Sequence, residues 1–517
     1  MSRGETGRPT GLNWIKALPA LAGFIALLGG GSAVYAGRLP GRGIPPTFHL
    51  SSYQAGFDSN EGGGFGLLPF SLQQQPFVEP DVRLRDDDPA FIKKSLPGGV
   101  AFRVFSSNVL TWAMDRFIMG YPWARVGLTS WKNNFLKGWQ WDIDPFNTNF
   151  FFHPYSGGAF FNSARSNGYG YFSSVPFALM GSLMWEYFGE TGRPAYNDLI
   201  NTTLSGSLFG EIFYRLSSSL LDDRATGVER FFREFGALLL SPGRAFSRLL
   251  QGKLTRVTTK EIYQKEPINI SASAGAHWFN QGSRFGTGSL SANLNIHLDY
   301  GDPFEIRPRK PFDFFKIRTD LSYGKNMGKR YLDNFIGYGL LFGKTVHSGS
   351  MDLLMGVFQH YNYWDSKIFQ ISTLAFGGGL IAKWRLSEES NLQAAFHLGL
   401  IPLGASDSPY IDLMEAGEHV RNYNYAGGAE AKIESTLNLT TFGQLTAIFY
   451  FYRLYNFVGP AGHNNIMVFK PRLAIKLVDN INLGFEFLYY YKEGYYLHLP
   501  DIKKSNSEQK LYLMLYF

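Results

Sequence analysis

The last eight residues, Lys510-Leu511-Tyr512-Leu513-Met514-Leu515-Tyr516-Phe517, set leucines and the terminal phenylalanine on one face of a strand and Tyr512, Met514 and Tyr516 on the other. A strand that turns an apolar face to lipid and a mixed face to a lumen reads in this way, and so does the closing strand of a bacterial outer-membrane β-barrel. The aromatic last residue resembles the signal read by the barrel assembly machinery. Upstream, from about residue 267, ten-residue segments of the same alternation are separated by Gly, Asn, Asp, Ser and Lys clusters. Leu290, Ala292, Leu294, Ile296 and Leu298 interleave with Ser291, Asn293, Asn295, His297 and Asp299. Leu392 to Leu400 and Ile481 to Tyr489 repeat the pattern, so a slip of one residue would turn every polar group toward lipid. Twelve such strands are expected across 267–517, an even number as a single-chain bacterial barrel requires. The long stretch 367–386 leaves room for a hidden turn at Gly377-Gly378-Gly379.

The other end of the chain agrees about location. Arg3, Arg8 and Lys16 precede an apolar run, Ala17 to Leu28, and small residues that end at Val34-Tyr35-Ala36, so residues 1–36 read as a secretory signal peptide. Its core is too short to span a bilayer as a helix. The chain has no cysteine, so neither a lipid-anchored thiol nor a disulfide is expected. The net charge of +7 falls to about +5 once 1–36 is set aside, a mild excess that implies no nucleic-acid partner. Aromatic residues make up 16% of the chain, which suits a barrel with aromatic girdles in contact with outer-membrane lipids.

Residues 37–98, rich in Gly, Pro, Gln and Asp, read as an extended lead-in, and 99–260 as a helical domain. Phe102, Phe105, Val109, Trp112 and Phe117 fit one amphipathic helix; a second starts at Ser174 and Pro176 and runs to Tyr187; a third covers 195–221. A fourth, 226–250, breaks and restarts at Ser241-Pro242. The fold expected is thus a membrane β-barrel of about twelve antiparallel strands preceded by an α-helical domain that plugs or underlies it. A lumen of that size holds one or two helices, and the others would lie on the periplasmic side.

Between the first two helices, Asp142 to Gly170 interleaves imidazole, guanidinium and amide groups with aromatics and with glycines that let backbones approach closely. The run from His153-Pro154 through Ala164-Arg165-Ser166-Asn167-Gly168, Gly181-Ser182-Leu183-Met184-Trp185-Glu186-Tyr187 and Asn197 to Thr203, ending at Gly210-Glu211, resembles the domain of unknown function 3943 family of Gram-negative envelope proteins, over roughly 140–220. The resemblance implies an envelope location and supplies no activity.

Glu186, on an otherwise apolar helix, would be desolvated, either serving as a general acid or pairing with Arg165 or Arg215. Glu211 and Arg215 stand four apart in the order of a helical ion pair. His153 is expected to bond a backbone carbonyl or to act as a base, and no second histidine lies at a ligand spacing, so no metal and no cofactor is expected. Asn197 and Asp198 look like a helix cap, and Gly206 and Gly210 like a close-packing pair. Asn162, Asn167, Asp198, Asn201, Glu211 and Arg215 complete the motif residues that would bind or brace. Arg224, Arg230, Arg233, Arg244, Arg248, Lys253, Arg256 and Lys260 alternate with Phe and Leu, as in an interfacial helix lying on anionic headgroups.

Two functions of different class fit. The first is a non-catalytic barrel with a helical plug or periplasmic domain, serving envelope integrity or gated passage of a small solute. The second is an outer-membrane enzyme on lipid or lipopolysaccharide, with His153, Arg165 and Glu186 converging. No Gly-x-Ser-x-Gly elbow is present. Convergence of the three residues around one pocket would favour the enzyme, and pairing of each with a buried partner the non-catalytic protein.

Overall fold

The computed structural model describes residues 94–281, 288–324, 332–411 and 421–517. Residues 1–36, expected to form a signal peptide, and nearly all of the expected lead-in 37–98 fall outside these residues. Twelve antiparallel strands close on themselves, each paired with its sequence neighbours and β1 with β12. They are β1 Ile268–Gln281, β2 Ser289–Tyr300, β3 Phe315–Tyr323, β4 Leu332–Ser348, β5 Met351–Asp365 and β6 Gln370–Arg385, then β7 Ser390–Asp407, β8 Tyr423–Leu439, β9 Gly443–Val458, β10 Gly462–Val478, β11 Ile481–Tyr496 and β12 Ile502–Tyr516. No turn interrupts β6 at its glycines, because Gly377, Gly378 and Gly379 pair with both neighbouring strands. Closure leaves no strand edge unpaired, which a lipid-bathed sheet needs.

The alternation sets the faces. Phe396, Leu398, Leu400, Leu511, Leu513 and Leu515 are exposed and turned outward. Tyr512 and Met514 are buried and turned inward. The inward groups bond across the barrel to strands that are not their neighbours. Arg318 of β3 meets Glu434 of β8 at 3.1 Å, Lys510 of β12 meets Asp320 at 2.6 Å, and Arg472 of β10 reaches His297 of β2 at 2.8 Å. Lys432 bonds Asn362 of β5, and pairs of shorter reach add to these, Lys432 with Glu430 of its own strand and Lys510 with Glu486 of the adjoining β11. Toward the end where β5 turns into β6, the interior becomes apolar, with Trp364, Phe369, Ile371, Tyr450, Tyr452, Ile466, Leu488 and Tyr490 packed together. A barrel of this strand number is narrow enough for its own side chains to fill.

The helical segment comprises α1 Pro97–Ala113, α2 Leu128–Leu136, α3 His153–Arg165, α4 Tyr171–Met184, α5 Tyr196–Ile200, α6 Gly206–Leu220, α7 Gly227–Leu240 and α8 Pro242–Leu250. Wider π-helical turns extend several of them: Met114–Ile118 after α1, Thr148–Phe152 before α3, Trp185–Gly189 after α4 and Asn201–Ser205 between α5 and α6. Neither α2 nor α3 is expected from the sequence; for α3 the glycines and polar groups of Asp142–Gly170 obscure a helical period. The expected start of α4 is also late. Gly170 stands at its N-cap, so Pro176 falls inside the helix, where it has no amide to offer the carbonyl one turn back. The break before Pro242 is where the sequence puts it, with proline in the first turn of α8.

The helices meet the barrel on its outer wall. On β5, His360 and Asn362 join the interior network, so Gln359, Tyr361 and Tyr363 point the other way, in line with exposed Met355 and Val357. The outward set binds the helices. The Tyr361 hydroxyl donates to the Phe150 carbonyl, Gln359 donates to the Leu204 carbonyl at 2.8 Å, and Phe146 stacks on Tyr363. Phe209 packs on Phe335 of β4, which lies opposite Tyr363 and shares its face. Trp141 packs on Tyr425 of β8 and Phe457 of β9. The expectation that one or two helices enter the lumen is therefore corrected: among the described residues the interior bonds join strand to strand, and the helix-to-strand bonds fall on outward positions.

Candidate functional site at the helix and barrel seam

Glycine brings α3 and α6 together. A Cβ on Gly157 would stand 1.8 Å from the Thr202 carbonyl oxygen, and one on Gly206 would stand 2.7 Å from the Gly157 Cα, so neither tolerates a side chain. Gly158 packs on Gly210 less tightly, a Cβ there standing 3.1 Å from the Gly210 nitrogen. Such backbone contact stacks the polar faces of the two helices directly on each other, and their buried charged groups must then satisfy one another.

One consequence is a buried triad. Glu211, fully buried, accepts from Arg165 Nε at 2.8 Å and Nη2 at 3.2 Å, and from Arg215 Nε at 2.8 Å. Burial opposes ionisation of Glu211, yet the two guanidiniums hold its carboxyl below the usual range. Arg165 lies over the Tyr214 ring at 4.4 Å, with Arg244 also on that ring at 4.1 Å. Arg215 donates to the Pro311 carbonyl at 2.7 Å, which ties α6 to the loop between β2 and β3.

A second cluster gathers where three π-helical turns meet. They carry Asn149, Glu186 and Asn201, all buried, and such turns recur at functional positions because the extra residue re-aims side chains. His153 Nε2 lies 3.4 Å from Asp198 Oδ1, and its Nδ1 lies 3.4 Å from the Thr202 hydroxyl. Asn197 donates to Asp198 at 2.6 Å and accepts from the Asp142 amide at 2.8 Å. The Asn149 side-chain amide stands within 3.2 Å of four oxygens, the Tyr423 and Tyr425 hydroxyls and the carboxyls of Asp198 and Asp142. Its orientation follows the protonation of those carboxyls: a carboxylate takes the amide N–H, and a carboxylic acid donates to the amide oxygen. Tyr423 and Tyr425 donate further to the Asp144 and Asp142 carbonyls. Asn201 donates to the Asn149 carbonyl at 2.6 Å.

The carboxyls of this cluster share one environment. Burial pushes Glu186 up to about 8, partly offset by the Ala195 amide at 2.7 Å and reinforced by Asp142. Burial, then the charge of Asp142, raises Asp144 to about 7. Asp198 and Glu190 are pushed well above the carboxylate range, by burial first and by their acidic neighbours second. Burial lowers His153 to about 4, which leaves a neutral imidazole. Such a set keeps protons on carboxyls that would be ionised in water. Among the described residues, no three His, Asp or Glu side chains have a metal-holding arrangement.

The sequence candidates divide accordingly. Arg165, Glu211 and Arg215 form the triad, while His153, Asp198, Asn201 and Glu186 belong to the carboxyl cluster. Asn162 is buried within α3, and Asn167 bonds Ser163, Ser95 and Gln251 near the end of α8. Glu186 bonds neither Arg165 nor Arg215; its carboxylate takes the Ala195 amide instead, because the chain returns over α4 there. Asn197 and Asp198 do not cap a helix, since both are drawn into the cluster. His153 faces Asp198 and Thr202 rather than a carbonyl. The basic run turns inward: Arg230 and Arg248 each pair with Asp223 and Glu234, Arg256 with Asp223, and Arg233 with Glu229. Phe231, Phe232, Phe235 and Leu238 of α7 stand exposed instead. Sequence reasoning passed over Asp142, Asn149, Tyr423 and Tyr425 as members of the cluster.

A closed twelve-stranded antiparallel barrel with an apolar outer band and preceding helices is of the outer-membrane β-barrel type. Residues 138–243, which hold the triad and all of the second cluster except Tyr423 and Tyr425, match the family described as Domain of unknown function (DUF3943). No curated protein matches the chain. Solved structures similar to it include the outer membrane channel DcaP of Acinetobacter baumannii, with 6% identity over 48% of this chain and 96% of that one and a TM-score of 0.23. The COG4313 outer membrane channel from Pseudomonas putida F1 has 7% identity over 49% and 97%, with a TM-score of 0.27. The NanC porin has 9% identity over 48% and 100%, with a TM-score of 0.23.

Proposed function

We propose that the protein is a non-catalytic integral protein of the bacterial outer membrane, in which a filled barrel anchors a helical domain clamped to its outer wall for the integrity of the envelope. The observation that carries this reading is the occupied interior, where Arg318–Glu434, Lys510–Asp320 and Arg472–His297 cross the space that a solute would use. Gated passage loses its ground, since the helices bond outward positions and have no lumen to open. The enzyme reading is weakened by the three candidates' separate partners: Glu211 for Arg165, Asp198 for His153 and the Ala195 amide for Glu186.

Conductance of the purified full chain in planar bilayers tests this. The intact protein is expected to be silent. Stepwise openings in the unmodified protein would return passage as its function.

A further inference from the structure

Along α4, Phe172, Pro176, Leu179 and Leu183 follow steps of four, three and four residues, which is one stripe of a helix. No charged residue occurs in Tyr171–Met184. At its start the stripe joins the barrel, because Phe172 stacks parallel on Phe342 of β4 with ring centroids 5.1 Å apart. Phe342 shares its face with Val357, opposite it on β5, and all three side chains are about half exposed. At its end the stripe enters a groove of about 380 Å³ whose walls include Pro176, Leu179, Leu183, Met184, Tyr187 and Phe188. The surface that borders lipid on the barrel thus continues without a charged residue into an apolar channel on the helix. Met114, Phe117 and Ile118 beyond α1, Leu128 and Leu136 of α2, and Leu249 and Leu250 of α8 are exposed as well. A helical domain bathed in water would not leave so many large apolar groups bare.

We infer that the α4 groove is a lipid site, in which an acyl chain of the surrounding bilayer lies along Leu179 and Leu183. This rests on the outer-membrane reading of the barrel, to which it adds a ligand class. A helix too short to cross a bilayer can lie with its apolar side among acyl chains when a barrel wall takes its polar side. Among the described residues no helix is long and apolar enough to span.

The chain has no cysteine, so single reporters can be placed cleanly. Bimane would be attached to Leu183→Cys, to Leu179→Cys in case the first variant fails to fold, to Phe396→Cys on the outward face of β7, and to Asp479→Cys in the turn between β10 and β11. The full protein is reconstituted into phosphatidylglycerol vesicles with or without brominated acyl chains, and iodide is added separately as an aqueous quencher. The expected result is bromine quenching at Leu183 equal to that at Phe396, with little iodide quenching at either, and the reverse at Asp479. Iodide quenching of Leu183 at the Asp479 level would overturn the lipid site. Silence of Leu183 toward both quenchers would also overturn it, because protein would then cover the groove, either a second copy or another part of this chain. Loss of bromine quenching at Phe396 would refute the membrane reading of the barrel itself, which separates the two failures.

Discussion

Glu211→Gln should loosen the helical domain while leaving the barrel closed. In the native protein the Glu211 carboxylate receives three charge-assisted hydrogen bonds, from Arg165 at 2.8 and 3.2 Å and from Arg215 at 2.8 Å, with no exposure to solvent. The amide retains one acceptor oxygen and aims its N–H groups at guanidiniums, so two buried cations lose their counter-charge. Arg215 keeps the Pro311 carbonyl, and Arg165 keeps the face of Tyr214. Breaking a buried pair by removing one partner costs about 3–5 kcal/mol. At about 1.4 kcal/mol per factor of ten, the opened population rises roughly a hundredfold to a few thousandfold. Limited proteolysis within 97–250 reads that population, and the heat-dependent gel shift of the folded barrel serves as the internal control. A triple replacement, Arg165→Met with Glu211→Leu and Arg215→Met, removes all three charges and should recover most of the loss. Cleavage of Glu211→Gln within about threefold of the native rate would refute the idea that the triad braces α3 against α6, since threefold is under about 1 kcal/mol.

Other consequences can be checked on the same preparations. Gly157→Ala sets a methyl carbon 1.8 Å from the Thr202 carbonyl oxygen, so α3 and α6 must separate, and proteolysis should accelerate by the equivalent of about 1–3 kcal/mol. Glu186 has a folded value of about 8 against an ordinary 4.5, and Asp144 about 7 against 3.8. Both hold protons in the folded state that the unfolded chain gives up. Their contribution is complete below about pH 4 and is lost as pH rises to about 8. Proteolysis of the helical domain should therefore quicken between pH 5 and 8, and Glu186→Gln should flatten that slope; a steeper slope in the variant would contradict the assignment. Arg318→Ala strands Glu434 inside the barrel and should lower the temperature of the gel shift. Fatty-acid release from lipopolysaccharide that vanishes in His153→Ala would establish the enzyme reading, and none is expected.

Much of the barrel was legible because its chemistry has a period of two. Exposed Leu290, Phe396 and Leu513 fall on the face that alternation assigned to lipid, and His297, His397, Glu434 and Glu486 on the interior face. The helices were less legible. In α3 two glycines and several polar side chains face a partner helix through backbone contact, so the usual apolar stripe is absent. The π-helical turns that bring Asn149, Glu186 and Asn201 together have no simple sequence mark. One signal was present and unread: on β5 the outward face changes from Met351, Leu353, Met355 and Val357 to Gln359, Tyr361 and Tyr363, and on β8 it carries Tyr423 and Tyr425. Lipid-facing positions seldom carry such hydrogen-bonding side chains, and their recurrence on β5 and β8 marks the wall where the helices dock.

That docking is tested most directly by a cross-link. Ile212 of α6 reaches within 3.8 Å of where a Gly337 side chain would begin on the outer face of β4, whereas the next residue, Tyr338, points inward to His360 and His397. Cysteines at Ile212 and Gly337 should join through a short bis-maleimide in folded protein, and cysteines at Ile212 and Tyr338 should not. Efficient joining of Ile212 to position 338 with none to 337 would put the helices inside the barrel and contradict the account.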